Sequence, residues 1–259
     1  MTARRPLDRK RLGSAAAACA FLFAITGFVS IAAAHLFLGL ALALFLASRT
    51  RLVLPPLAWP LGAFLGWTLV ATLASDQPAA AFPQLKKFYV FLALPVVYTA
   101  FRTADAARRV FEAWAAVGSI AACLSFLQFA VRLRAAALSG ESFVEFYAPD
   151  RITGFLSHWM TFSQTALLIA AVLVAYVLFG ESSRRGRAIW IGAAALIGAG
   201  LVLSFTRSVW LAMGLLGVYF VAATRPRLLW AAPVALVAVS ALAPGPVRER
   251  IESIRNPGP

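Results

Sequence analysis

The stretch Ser14–Ala47 reads SAAAACAFLFAITGFVSIAAAHLFLGLALALFLA and contains no charged side chain. A helix rises 1.5 Å per residue and the hydrocarbon of a bilayer is about 30 Å thick, so about 20 apolar residues cross it once. Ser14–Ala47 is too long for a single crossing. It is read as two antiparallel spans, with Ser30 and His35 marking the turn between them. Working outward with the same ruler gives about nine spans: Ser14–Val29, Ile31–Ala47, Leu54–Leu73, Phe88–Phe101, Val110–Phe129, Phe155–Phe179, Ala188–Ser204, Val209–Ala223 and Leu228–Leu242. The fold class is all-α, a polytopic transmembrane helix bundle forming one integral-membrane domain over residues 1–259.

Composition points the same way. Hydrophobic residues make up 61% of the 259 and charged residues 13%, against about 25% charged in an ordinary soluble domain. So short a chain cannot hide that much apolar surface in a water-soluble core. The net charge of +14 would suggest nucleic acid in a soluble protein, but membrane proteins concentrate Lys and Arg in cytoplasmic loops. With the N-terminus cytoplasmic, 15 of the 24 basic residues fall inside, in the 1–12 tail and in short loops such as Ser182–Arg187. The nine outer ones are Lys86, Lys87, Arg132, Arg134, Arg151, Arg207, Arg248, Arg250 and Arg255. This orientation puts the longest periplasmic loop at 130–154 and the C-terminus in the periplasm, with a further periplasmic segment opening at 243–259.

The basic start is followed by far more than a signal peptide's 7–15 apolar residues, so a retained first span is expected. Trp59, Trp114, Trp159, Trp190, Trp210 and Trp230 lie near span ends, where an amphipathic ring favours the headgroup layer. Pro95 and Pro233 fall inside spans and are expected to kink them. Cys19 and Cys123 sit in apolar runs and suggest no disulfide framework.

The outer basic residues break the inside bias and are therefore the informative ones. Lys86 and Lys87 open the fourth span; they either snorkel toward lipid phosphates or hold an anionic headgroup. Arg207, in LVLSFTRSVWLAMG, lies between two apolar helices with almost no loop between them. A guanidinium there must be paired, hydrated or bound to an anion, and its planar fork suits phosphate; snorkelling to outer headgroups is the plainer alternative. Asp150 and Arg151 close the long loop and Gly154 lets the chain bend. His158 and Thr161 are spaced to share a helical face. An interfacial histidine is a functional candidate, and the plainer reading has it capping a helix or hydrogen-bonding a neighbouring one. Glu141, Glu145 and Asp150 each offer a candidate base, and the plainer reading has them as solvated loop charges. The two histidines and two cysteines show no metal-ligand spacing, so neither a metal nor another cofactor is expected.

Two motifs carry a resemblance. Arg151-Ile-Thr-Gly154-Phe-Leu-Ser-His158-Trp-Met160-Thr161-Phe-Ser163 is followed some forty residues later by Ser204-Phe-Thr-Arg207-Ser-Val-Trp210. Together with the basic start, Phe28-Val-Ser30 in the first hairpin and Lys86-Lys87, the chain resembles the O-antigen ligase / O-antigen polymerase superfamily. That resemblance implies a metal-independent glycosyltransferase of the bacterial inner membrane, acting in lipopolysaccharide biosynthesis. Its donor would be a glycan on undecaprenyl diphosphate and its acceptor a hydroxyl of lipid A–core or of another glycan. Arg151 and Arg207, with Lys86 and Lys87, would hold the diphosphate. The family's catalytic histidine lies in a large periplasmic loop beyond the part that this chain matches. Neither His35 nor His158 is placed to replace it, so a partial, catalytically incomplete member is expected. The rival classes are a transporter or flippase for a lipid-linked or anionic substrate, which should show matching broken helices in two halves, and a non-catalytic membrane scaffold. A nucleic-acid partner is not expected.

Overall fold

The computed structural model describes residues 6–181, 183–231 and 245. Among these every regular element is helical. The chain divides into two compact units, residues 1–110 and 111–259.

The first unit holds α1 (Pro6–Thr26), α2 (Ile31–Ala47), α3 (Ala58–Leu73), α4 (Pro78–Leu85), a 3-10 helix (Lys86–Leu92), α5 (Ala93–Ala100) and the start of α6 (Ala104–Ser139). The turn in the opening stretch falls where Ser30 predicts. Ser30 is the N-cap of α2, its hydroxyl accepting from the Ala33 amide at 3.3 Å, the usual way a serine satisfies an orphan donor of the first turn. His35 is not at the turn; it lies within α2, its Nδ1 2.9 Å from the Tyr89 hydroxyl. α1 begins eight residues before Ser14, so much of the basic tail is helical. Pro6 stands at the first position, where its fixed φ suits a helix start, and Asp8 sits in the first turn. Ala16 and Ala20 are fully buried against Leu38, Ala41 and Phe45. Small residues one turn apart let two apolar helices approach closely, which matters where lipid offers no hydrophobic drive to associate.

Two further spans differ from expectation. α3 starts at Ala58 rather than Leu54, because Pro55 and Pro56 lack the amides a helix interior needs. Its 16 residues reach about 24 Å. The stretch Phe88–Phe101 is not one helix: Lys86–Leu92 winds as a 3-10 helix and α5 starts afresh at Ala93. Pro95, in the first turn of α5, cannot return a hydrogen bond to Phe91, so the α-helical ladder cannot run continuously through it.

The second unit is built on the rest of α6, with α7 (Phe143–Tyr147), α8 (Trp159–Phe179), α9 (Arg184–Leu203), α10 (Arg207–Thr224) and a 3-10 helix (Pro226–Ala231). α6 continues ten residues past Phe129, so the expected loop 130–154 is helical as far as Ser139 and has the short α7 inside it. Ala, Leu and Arg at 130–138 are strong helix formers, and the helix stops only at Gly140, whose φ is +74°. Gly118 marks a close crossing in this unit. A β-carbon there would sit 2.9 Å from both the Ile169 and the Ile197 Cδ1, each buried, so α6, α8 and α9 meet at that glycine.

Among the described residues four helices, α6, α8, α9 and α10, are long and apolar enough to cross a membrane, and α2 and α3 are shorter apolar helices. Large apolar side chains face outward along them; Trp67 is 74% exposed and Leu215 is 72% exposed. That is the pattern of helices solvated by lipid rather than water. The chain is thus a multi-pass membrane protein in lipid contact. The ninth span expected at Leu228–Leu242 lies, beyond Ala231, outside the described residues, as do Pro233, the segment 243–259 (Gly245 apart) and Arg248, Arg250 and Arg255.

Candidate functional site

The two arginine motifs belong to the second unit. The Arg-x-x-Gly turn is held by Gln128 of α6. Its Oε1 accepts from the amides of Thr153 and Gly154, both at 3.0 Å, and its Nε2 donates to the Gly154 carbonyl at 3.0 Å. A side-chain amide thus replaces a strand as partner for an extended segment. Gly154 has φ +60°, and a β-carbon there would lie 2.7 Å from the Phe162 ring. Only glycine fits, for conformation and for space.

The Ser-x-Thr-Arg motif makes the α9–α10 corner. A helix leaves its last carbonyls without intrahelical donors, and here side chains close them one by one. Leu201 accepts from the Ser204 hydroxyl at 2.7 Å, and the Trp210 indole donates to Leu201 and Val202 at 3.3 and 3.2 Å. Leu203 accepts from the Tyr147 hydroxyl at 2.7 Å, and Ser204 from the Thr206 hydroxyl at 3.2 Å. Phe205, between them, has φ +51°, a left-handed conformation that costs a non-glycine residue about 1–2 kcal/mol. It is buried among the rings of Phe129, Phe143, Tyr147 and Trp210, with centroids 5.3 to 6.5 Å away. Edge-to-face and stacked ring pairs offset that strain.

Tyr147 ties the two motifs together. Besides donating to Leu203 it accepts from the Ile152 amide at 3.3 Å, so one hydroxyl joins the residue after Arg151 to the last residue of α9. The phenol is fully buried, and this burial pushes its pKa up from 10 to about 12, against the lowering effect of the Ile152 amide and of Arg151. Arg132 of α6 and Asp150, in the loop after α7, form an ion pair whose side chains both reach solvent. Asp150 is thus solvated, as expected, and paired as well.

Arg151 is 9% exposed. Its Nε donates to the Ala148 carbonyl at 2.9 Å, and its guanidinium carbon lies 4.0 Å over the Trp159 ring. Trp159 opens α8, and one turn on, the Ser163 hydroxyl donates to the Trp159 carbonyl at 2.7 Å and lies 3.3 Å from the Thr206 hydroxyl. Arg207, half-buried, is the first residue of α10, inside the helix rather than in the connection before it. The contacts Arg151–Trp159–Ser163–Thr206 therefore lead from one arginine to the residue preceding the other. The two arginine motifs are thus linked across 56 residues of sequence, at the end of the unit where α8 and α10 begin. Such forks bind phosphate oxygens bidentately.

His158 is the N-cap of α8, its Nδ1 accepting from the Met160 amide at 3.1 Å. It therefore does not share a helical face with Thr161; its backbone is extended. The capping role is the one observed. Lys86 and Lys87 are exposed at the start of the first unit's 3-10 helix, and His35 belongs to that unit too.

Sequence reasoning missed Gln128, Tyr147 and Phe205. A polar residue on an apolar helix and an aromatic run, Phe143-x-x-Phe146-Tyr147, were the available signals. Compared with protein-family models, curated proteins and solved structures, the chain matches none.

Proposed function

We propose that the chain is a bacterial inner-membrane protein of about nine spans with a cytoplasmic N-terminus, similar to the O-antigen ligase / O-antigen polymerase superfamily. Its periplasmic end binds the diphosphate of an undecaprenyl-linked glycan in a metal-independent glycan transfer. The observation that carries this reading is the contact chain from Arg151 through Trp159 and Ser163 to Thr206, beside Arg207. In the transfer, an acceptor hydroxyl of lipid A–core or of another glycan attacks the anomeric carbon. The bond from that carbon to the diphosphate breaks, and the diphosphate departs with the electron pair and takes up the proton that the hydroxyl loses. Arg151 and Arg207 meet the charge that grows on those oxygens, the electrostatic contribution such a step needs most. Lys86 and Lys87, in the first unit, fall on the periplasmic side in the same orientation.

The orientation has support within each unit. In the first, Lys10, Thr50 and Thr99 line one groove, so the basic tail, the Arg49–Arg51 turn and the end of α5 before Arg102 gather at one end. In the second, α8 separates the Arg184–Arg187 segment from Trp159 by 21 residues, about 31 Å and so one membrane thickness.

The decisive experiment titrates the purified chain, reconstituted in vesicles, with a fluorescent glycan on undecaprenyl diphosphate. Each charge-assisted hydrogen bond contributes about 1.5–3 kcal/mol, so Arg151→Ala and Arg207→Ala should each weaken binding by about tenfold to a hundredfold. Binding equal to the unchanged chain in both variants overturns the proposal. Movement of the label between leaflets without transfer would instead identify a flippase. In a chain freed of Cys19 and Cys123, an impermeant maleimide added to intact cells should label Ser142→Cys but not Ser183→Cys; the reverse pattern overturns the orientation.

A further inference from the structure

The other unit holds a second feature. A cavity of about 280 Å³ lies between α1, the end of α5 and the start of α6, walled by Ala17, Ala18, Phe21 and Phe101, with Arg109 at its edge. A shallower groove of about 470 Å³ shares Ala17 and Ala100 with it and runs to Ser14, Thr50, Thr99 and Lys10. The two therefore adjoin at Ala17 and Ala100, and together they are taken as one trough. The cavity is walled mainly by alanine and phenylalanine, and the groove carries hydroxyls and an ammonium group. Among the described residues no carboxylate lines either part, although Asp105 is close in sequence and its carbonyl accepts from the Arg109 Nε at 3.4 Å.

We propose that this trough binds one anionic phospholipid. The acyl chain lies against Ala18, Phe21 and Phe101, and the headgroup phosphate sits between Lys10 and Arg109. Charge complementarity selects the occupant. Arg109 on the apolar cavity, with Lys10 and hydroxyls on the adjoining groove, matches a phosphate that carries hydrocarbon, whereas a free anion has no use for the apolar cavity and a neutral lipid none for the cations. Basic pockets between spans on the cytoplasmic side recognise anionic headgroups in this way. The tail Arg9–Arg11 and Arg49–Arg51, at the same end, add to the attraction. The site rests on the chain lying in a membrane and is independent of the diphosphate reading, since it uses neither Arg151 nor Arg207.

The test reconstitutes the full chain in bilayers of phosphatidylcholine with a minority of phosphatidylglycerol, extracts it in mild detergent and counts retained lipids by native mass spectrometry. One phosphatidylglycerol per chain should persist after phosphatidylcholine is lost. A basic residue at the membrane surface contributes about fivefold to binding an anionic lipid. Lys10→Ala and Arg109→Ala should therefore each lower retention about fivefold, and together about thirtyfold. Ala18→Phe fills the apolar cavity without touching charge and should also expel the lipid; it decides the matter if the double variant does not fold. Equal retention of the two lipids, unchanged retention in the double variant, or unchanged retention in Ala18→Phe overturns the proposal. So does displacement of the lipid by excess inorganic phosphate, which would make the occupant a free anion.

Discussion

Replacing Gln128 with alanine tests whether the Arg-x-x-Gly turn depends on one side chain. The substitution removes three hydrogen bonds of 3.0 Å, leaving the Thr153 and Gly154 amides without their acceptor and the Gly154 carbonyl without its donor. A buried donor left without a partner costs about 1–3 kcal/mol. Gly154 is buried and Thr153 half-buried, so water recovers part of the loss at Thr153 and the total should be about 2–4 kcal/mol. The turn should then open about 30 to 1000 times more often. Amide hydrogen exchange of the segment around Gly154, followed by mass spectrometry on the chain in detergent, reads that factor directly. Segments of α9 serve as an internal reference. Gln128→Glu keeps the oxygen that both amides use, so its exchange should stay within about tenfold of the unchanged chain. If the alanine variant exchanges no faster, or alanine and glutamate behave alike, the turn is held by something other than Gln128.

Gly154→Ala should destabilise the same turn by about 1–2 kcal/mol from φ alone, plus whatever is needed to move the Phe162 ring; adding Phe162→Leu should recover the steric part only, as read from exchange at Ile152–Gly154. Tyr147 keeps its proton in the folded loop up to about pH 12 but only to pH 10 when released. The folded state thus holds more protons between those values, and loop docking should be fully present below pH 10 and lost as pH rises toward 12. Tyr147→Phe should abolish that dependence, with phenolate absorbance as the check. His158→Ala should cost about 1 kcal/mol of helix stability in thermal unfolding, and His158→Ser should restore it. Neither should alter donor binding, and loss of transfer in the serine variant would show that the ring does more than cap.

Features set by local chemistry were legible from sequence. Ser30 inside a long apolar run marks a turn, and Gly154 after an arginine loop marks a bend. The end of α6 was not legible at Phe129. An apolar run ends where polarity begins, whereas a helix ends where the backbone changes, and Gly140 comes eleven residues later. The broken segment before α5 was only half legible: Pro95 forbids a continuous ladder, but no residue states that the preceding seven will wind as a 3-10 helix. The arginines stood out because a charge among apolar residues is costly at any register. Tyr147 did not stand out, because its value lies in a carbonyl 56 positions away that only the packed bundle brings near.

Arg207 as the opening residue of α10 has a consequence for stability as well as chemistry. The amino end of a helix carries a partial positive charge, and a cation in the first turn is disfavoured by about 0.3–1 kcal/mol. Thr206 before it does not turn its hydroxyl to cap that end; the hydroxyl serves the neighbouring helices instead. The dipole conflict at the start of α10 is therefore a cost that the other interactions of the Arg207 side chain must offset. A neutral residue at 207 removes the conflict and those interactions together, so the sign of its effect on thermal unfolding measures which of the two is larger.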